Sequence, residues 1–546
     1  MKRFLCACIA IALLISLAGC ADLAPAPTAP PKLDATGRYV LNAGGEAVLP
    51  VEPAKPNDTN NRVFYEIFVG SFSDSNGDGI GDLRGIINRF DYLNDGDPAS
   101  GVSLGVEGIW LTPIFKSPSY HKYDVADYYK VDPQFGTEED LKELIELCHQ
   151  RGVKIILDLV INHTSSNHPW FQSFMEAHRK GDAAHKYYDY YSWDTTATGG
   201  KTMKPINGTD HLFECNFSGS MPELNFENPD VQHAVVDIAK HYLDMGVDGF
   251  RFDAAKYIYF GEESKNVDFW VWYMAQLRAI KPDIYTVAEV WDGDGVVIPY
   301  INATNCFNFS MAQVSGQISQ AAQAGDVNAL MAYVENYLAQ VHTQNPKGQM
   351  VTFISNHDMD RAAGFLPLSN NRAKVAANLA ILMPGNTFLY YGEEIGIKGS
   401  RGGASTDANR RLAMLWGDED TVKDPVGSNY TSGQNNGTVA DQLPNGDSLY
   451  NYYKRLIQIR KAYPAIALGE FTRLEVTGSK AGGFLSSYNG QTVAVLHNTT
   501  GSSVQIDLAK LTDVPLTELA AVIGVGTATL DGTVLTLDSQ TSVVLK

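Results

Sequence analysis

Residues 137–159 constrain the fold more than any other stretch of the chain. Leu141, Leu144, Ile145 and Cys148 recur at i, i+3, i+4 and i+7, the spacing of one helical face. Thr137 sits where an N-cap belongs, and Gly152 where a helix stops in the left-handed region. Directly after it, residues 153–159 form a β-branched apolar run, the pattern of a buried strand, which closes at Asn162 and His163. A helix that hands over to a strand this abruptly predicts a parallel sheet with right-handed crossovers.

The rhythm recurs along the chain. Further strand-like runs lie at 63–69, 106–111, 247–252, 284–288, 306–309, 350–354 and 387–391. Helical spacing appears at 83–93, and again at Val231, Val235, Ile238, Tyr242 and Met245, behind an Asn228 cap and Pro229. Eight strands alternating with helices make a (β/α)8 barrel, and 546 residues suffice for one with appendages. The rhythm fails at 164–226, a stretch rich in His, Tyr, Asp, Gly and Thr, and loops of that length inside a barrel usually carry function. Residues 400–449 form a second polar excursion, and 450–462 a last helix. From about 465, short alternating runs predict a small antiparallel β-domain.

Four of the strands end in polar clusters. They are Asp158-Leu-Val-Ile-Asn162-His163, the stretch from Asp248 to Lys256, Val287-Ala-Glu289, and Ser355-Asn356-His357-Asp358. In the second, Arg251 and Asp253 lie two residues apart and so point to the same face of a strand. Taken alone, such a pair has a competing reading as a structural ion pair that closes a strand. Carboxylates at several strand ends favour a site, because that rim is where a barrel builds one.

These four segments, in this order, resemble the four signature regions of the α-amylase family, glycoside hydrolase family 13. The resemblance covers roughly residues 62–460. It implies a (β/α)8 TIM barrel with a domain B inserted after strand three and a C-terminal antiparallel β-domain. The domain boundaries expected are a signal peptide at 1–19, Cys20 and a linker to 61, a barrel at 62–163 and 227–462, domain B at 164–226, and a β-domain at 463–546. The resemblance also implies retaining glycoside hydrolysis, which needs two carboxyls flanking the scissile bond. Matched motif by motif, Asp253 is the nucleophile, Glu289 the general acid/base, and Asp358 the carboxylate that holds sugar hydroxyls. Arg251 is expected to keep Asp253 ionised, and burial to raise the Glu289 acid. His163, His357, Tyr123 and Asp124 match sugar-binding positions, and Lys256 matches a lysine on the leaving-group side. Simple packing is the competing reading for Tyr123, and a satisfied core histidine for either imidazole.

Asp74, Asn76, Asp78 and Asp82 alternate with glycines, and Ile80 adds a backbone carbonyl. That is the oxygen-ligand pattern of a calcium loop, with a plain polar turn as the alternative. The family resemblance implies a second calcium site using Asn162, for which no domain B carboxylate is identifiable. Ala254 stands where relatives selective for α-1,6 bonds commonly carry Val. Met221-Pro222-Glu223-Leu224-Asn225 resembles a fifth region in a form between α-amylases and oligo-1,6-glucosidases, with Glu223 where Asp is usual. The expected activity is endo hydrolysis of α-1,4 bonds in starch, glycogen and maltooligosaccharides. The alternatives are an oligo-1,6-glucosidase-type α-glucosidase and, remotely, a non-catalytic glycan-binding barrel.

The N-terminus reads as targeting. Lys2-Arg3 precede a short apolar run, and Leu17-Ala18-Gly19-Cys20 resembles a bacterial lipoprotein box, with lipid expected on Cys20. An ordinary secretory signal is the alternative. With Ala21 following, the expected location is the cell envelope, at the outer membrane or cell surface of a Gram-negative host. The net charge of −20 argues against nucleic acid as a partner. A monomer acting on an α-glucan is expected. Cys148, Cys215 and Cys306 remain after processing; Cys215 and Cys306 are free to pair or not.

Overall fold

The structure, a computed structural model, describes residues 62–546 except 98–99, 198 and 402–406. The signal peptide, Cys20 and the linker to 61 lie outside the described residues. Eight parallel strands run in barrel order: Val63–Ile67, Gly108–Leu111, Lys154–Leu159, Gly249–Phe252, Tyr285–Ala288, Asn305–Cys306, Val351–Thr352 and Asn386–Tyr390. The first pairs with both the second and the eighth, and a parallel bridge between Phe307 and Val351 joins the sixth to the seventh. The ring is therefore nearly closed, which removes exposed sheet edges.

Period-2 alternation fills the barrel. Phe64, Trp110, Ile156, Tyr285, Val287, Phe307, Val351 and Phe388 form one interior cluster, separate from the larger core between strands and helices. Phe64 stacks between Tyr285 and Phe388 at 4.7 Å on each side. This aromatic plug is the floor of the charged layer above it: the Trp110 indole donates to Asp158 at 3.2 Å, and the Arg251 guanidinium lies 5.1 Å from the Trp110 ring.

Local chemistry explains most element ends. Helix Glu138–Gln150 starts at a capping box, with Thr137 and Asp140 exchanging hydrogen bonds, and Gly152 follows at φ 70°. Helix Pro169–Lys180, absent from the sequence expectation, interrupts the long insertion. It has Pro169 at its first position, Phe171, Phe174, Ala177 and His178 buried, and Gly181 as its left-handed stop. Its apolar face is made of aromatics dispersed in a polar stretch, which hid its period. The same insertion carries a small antiparallel sheet, with Leu212–Glu214 between Trp193–Asp194 and Met203–Pro205. The helix expected over 83–93 is two pieces, Leu83–Asn88 and Phe90–Leu93, separated at Arg89. The sixth and seventh strands are two residues each, because the chain leaves the ladder at the rim to form the site.

Beyond the barrel, strands from Glu470 to Leu545 form a five-stranded and a three-stranded antiparallel sheet around a second core. Asn489 and Gly490, both at positive φ, turn the hairpin between Gly482–Tyr488 and Gln491–Asn498. Cys148, Cys215 and Cys306 are all buried free thiols, so Cys215 and Cys306 do not pair.

Candidate active site

The site lies at the C-terminal rim of the barrel. Strand register sets Asp158, Arg251 and Val287 side by side across the third, fourth and fifth strands. Arg251, 1% exposed, gathers three carboxylates: Asp158 at 2.9 Å, Asp253 at 2.5 Å and Glu289 at 3.2 Å. One planar guanidinium thus holds both candidate catalytic carboxyls. Burial raises the Glu289 acid above its usual range, and Arg251 opposes only part of that rise. Burial also outweighs Arg251 at Asp253, whose acid sits above its usual value. Arg251 therefore limits the rise at Asp253 rather than depressing the acid, because both groups are taken out of water together. The buried Asp158 acid is pushed up to about 7, chiefly by desolvation.

Ala254 makes the turn behind Asp253. Its φ of 46° and ψ of 41° are left-handed, and its N–H donates to Glu289 Oε2 at 2.9 Å. A non-glycine residue here is strained, and the strain aims an amide at the second carboxyl.

The seventh strand ends at His357 and Asp358. Asp358 accepts from Arg411 Nη2 at 2.6 Å and faces His357 Nε2 at 3.0 Å. Burial favours the protonated acid, yet His357 and Arg411 overcome it and hold Asp358 well below the usual carboxylate range. Tyr123 stacks on the His357 ring at 5.3 Å, and its hydroxyl donates to Asp158 at 3.0 Å. Asp124, 5% exposed, accepts from the hydroxyls of Ser117 and Ser119. His163 is engaged on both ring nitrogens, with Asn162 Nδ2 on Nδ1 at 3.2 Å and the Tyr123 carbonyl on Nε2 at 3.2 Å. It braces the Tyr123 turn, and burial lowers its pKa to about 4. Lys256 donates to the Trp291 carbonyl and to Asp292, both at 2.9 Å. Asp253, Glu289, Asp358, Arg251, His357 and Tyr123 thus converge, with Asp124, His163 and Lys256 around them.

These observations meet the comparisons with known proteins. A family model described as "Alpha amylase, catalytic domain" matches residues 66–469. The chain belongs to the α-amylase family. Within that family it is similar to "Alpha-amylase 3" of Dictyoglomus thermophilum, 35% identical over 443 residues, which are 80% of this chain and 84% of the relative. It is also similar to the oligo-1,6-glucosidase of Parageobacillus thermoglucosidasius, at 31% identity over 75% of this chain and 84% of that one. Among solved structures, Eubacterium rectale Amy13B superposes with a TM-score of 0.83 at 32% identity, covering 91% of this chain and 97% of its own. Other relatives carry the names 4-alpha-glucanotransferase and trehalose synthase/amylase.

Several residues of this α-amylase-family site escape sequence reading. Arg410 and Arg411 come from the polar excursion at 400–449. Arg411 reaches Asp358, the His357 carbonyl and Tyr120, and Arg410 bridges the Asp358 carbonyl to Asp360. An Arg-Arg pair was the signal, but nothing local says where it folds back. Glu66, inside the first strand, was signalled only as a charge in an apolar run. Trp291 and Phe217, 45% and 46% exposed, flank Lys256 and Tyr257; Trp291 stacks on Phe309 at 5.1 Å and Phe217 meets Tyr257 at 4.9 Å. On the Asp358 side, a polar cavity of about 480 Å³ opens between Asp360, Lys398, Tyr430 and Asn435.

The loop at 74–82 closes on itself. Asp74 accepts from the amides of Asn76, Gly77 and Gly79, Asn76 from that of Asp78, and Asp78 from that of Ile80. Asp82 caps the following helix through Gly85 N at 2.6 Å. Among the described residues, no three His, Cys, Asp or Glu groups are drawn together as a metal cluster. The oxygen donors of this loop, carboxylates with the Asn76 amide oxygen and the Ile80 carbonyl, are of the chemical type that suits calcium, and here the side-chain oxygens accept from the loop's own amides. At Asn162 the fit is of another kind. Its Oδ1 is buried without a partner, and its Nδ2 donates to Glu223, a buried carboxyl whose acid is raised by desolvation and by Glu214. Glu223 is the carboxylate of the 164–226 insertion that the structure places against Asn162.

Proposed function

We propose that this protein is a retaining, endo-acting hydrolase of α-1,4-glucosidic bonds in starch, glycogen and maltooligosaccharides. The observation that carries the reading is the pair Asp253 and Glu289 on one buried guanidinium, with Glu289 desolvated toward its acid form. A shared guanidinium favours the closer carboxyl spacing of about 5–5.5 Å that retention uses over the wider one that admits a water. Asp253 attacks the anomeric carbon while Glu289 protonates the departing oxygen. The resulting glycosyl ester is then opened by water, whose proton passes to Glu289. Asp358, kept ionised by His357 and Arg411, takes sugar hydroxyls, and the Tyr123 face covers the ring.

Open space supports action within a chain. The cavity beside Asp360 leaves room for further sugar units on one side, and exposed Trp291 and Phe217 offer apolar faces on the other. Ala254 and Lys256 favour α-1,4 over α-1,6 linkages, since Ala leaves room where Val would crowd the leaving sugar. Calcium at the 74–82 loop, and a second cation held by Asn162 and Glu223, would cross-link loops rather than take part in bond cleavage. The protein is further proposed to act as a monomer anchored to the bacterial envelope through lipid on Cys20.

The test is a product and linkage profile. Hydrolysis of amylose and end-blocked maltooligosaccharides, with the α-anomer appearing first by NMR and isomaltose barely cut, is expected. Initial β-anomer rules out retention. Efficient isomaltose cleavage with inert blocked substrates assigns the protein to the oligo-1,6-glucosidase type.

A further inference from the structure

Two buried carboxylates beneath the site have no step in the proposed reaction. Asp158 answers Arg251. Glu66 answers His357.

Glu66 lies on the first strand, points inward in phase with Phe64, and is 1% exposed. Its Oε1 lies 2.5 Å from His357 Nδ1. On the far side of the ring, Nε2 lies 3.0 Å from Asp358 Oδ2 and 2.6 Å from the Tyr123 hydroxyl. That hydroxyl gives its proton to Asp158 at 3.0 Å, so it offers His357 a lone pair. Both ring nitrogens of His357 therefore face acceptors. A neutral imidazole keeps one nitrogen bare, and either choice would set a lone pair against an anion in a site with 0% exposure. With Glu66 and Asp358 ionised, the doubly protonated ring satisfies every partner; a neutral ring does so only where Glu66 carries the proton, which burial of that carboxyl favours and His357 opposes.

We propose that Glu66 is a positioning residue that holds His357 as an imidazolium, so that a fixed cation presents Nε2–H to the reaction site. The charges around the ring agree. Glu66 faces it from the first strand, Asp158 from the third, Arg251 and Asp253 from the fourth, Asp358 from its own turn, and Arg411 donates to its carbonyl at 3.0 Å. Tyr123 and the edge of Trp110, at 5.6 Å, complete the enclosure. Burial alone would neutralise the imidazole, but Asp358 and Glu66 reverse that and lift it to about 10. Asp358 is already shared with Arg411, so Glu66 is the anion that His357 has to itself. The same cation keeps Asp358 ionised, which ties Glu66 to the sugar-binding carboxylate without contact between Glu66 and substrate.

The experiment uses Glu66→Gln, which keeps the volume and still accepts from Nδ1–H through its amide oxygen. A neutral ring with Nε2 bare then becomes stable. With 15N-histidine labelling, wild-type His357 should remain protonated on both nitrogens through pH 9, while Glu66→Gln releases one proton at least a unit and a half lower. The ratio of variant to wild-type kcat/KM on a maltooligosaccharide should fall about tenfold between pH 5.5 and 8.5, the loss expected of a required cation titrating near 7.5. Glu66→Asp should recover part of both effects. A wild-type ring that titrates near 6.5, or a ratio that stays flat with pH, overturns the proposal. The ring titration needs no substrate. It is therefore decisive even where the α-glucan reading, on which the activity arm rests, fails.

Discussion

Replacing Ala254 by Val is expected to weaken the fold and shift linkage preference together, and the two effects can be separated. Ala254 holds φ 46° and ψ 41°, is 5% exposed, and ties its N–H to Glu289 and its carbonyl to Tyr257 N at 2.9 Å. An L residue in this region costs about 1–2 kcal/mol relative to right-handed backbone. Ala already carries that cost. A β-branched side chain adds crowding at χ1 against this left-handed backbone and two methyls to a position that is 5% exposed, for about 2–3 kcal/mol in all. Ala254→Gly runs the other way: relief of about 1 kcal/mol in the native turn is offset by roughly 0.5–1 kcal/mol of added freedom in the unfolded chain. In thermal unfolding, Val should therefore melt a few degrees below wild type and Gly should match or exceed it. Linkage is then scored as the isomaltose-to-maltose rate ratio on folded protein, and Val should raise it. A Val variant as stable as wild type beside a destabilised Gly variant would refute the strain. An unchanged rate ratio would show that Ala254 does not set linkage.

Asp253→Asn should lose on the order of 10⁴-fold or more in kcat while still binding maltooligosaccharide by calorimetry, because a covalent step is removed rather than a contact. EDTA should lower the melting temperature, and Asp78→Ala should abolish that response; identical melts with and without chelator would leave the loop a self-bonded turn. Asp358 is depressed in the fold, so its stabilisation is complete above the unfolded value near 4 and is lost progressively as pH falls from there toward the much lower folded value. Urea titrations from pH 5 to 2 should thus show a shallower loss of stability in Asp358→Asn, and parallel curves would contradict the assignment. Cys20→Ala should move the protein from the membrane to the soluble fraction and remove incorporated fatty acid.

What could be read from the sequence is what short range decides. Asp253, Glu289, His357 and Asp358 each close a strand whose apolar run and period-2 alternation are local properties, so their common rim follows once the strands are parallel. Thr137 and Gly152 were legible for the same reason, since caps are satisfied within a few residues. What lies between distant segments was not. Arg411 meets Asp358 across 53 residues, Glu66 meets His357 across 291, and Glu223 meets Asn162 across 61. No periodicity encodes those distances; closure of the barrel and folding back of its loops do. The balance of charge was decided there as well. A carboxylate's identity is fixed by the sequence, but whether Asp253 is raised, Asp358 depressed or His357 doubly protonated depends on which ions are desolvated together, and only the closed rim brings them within range of one another.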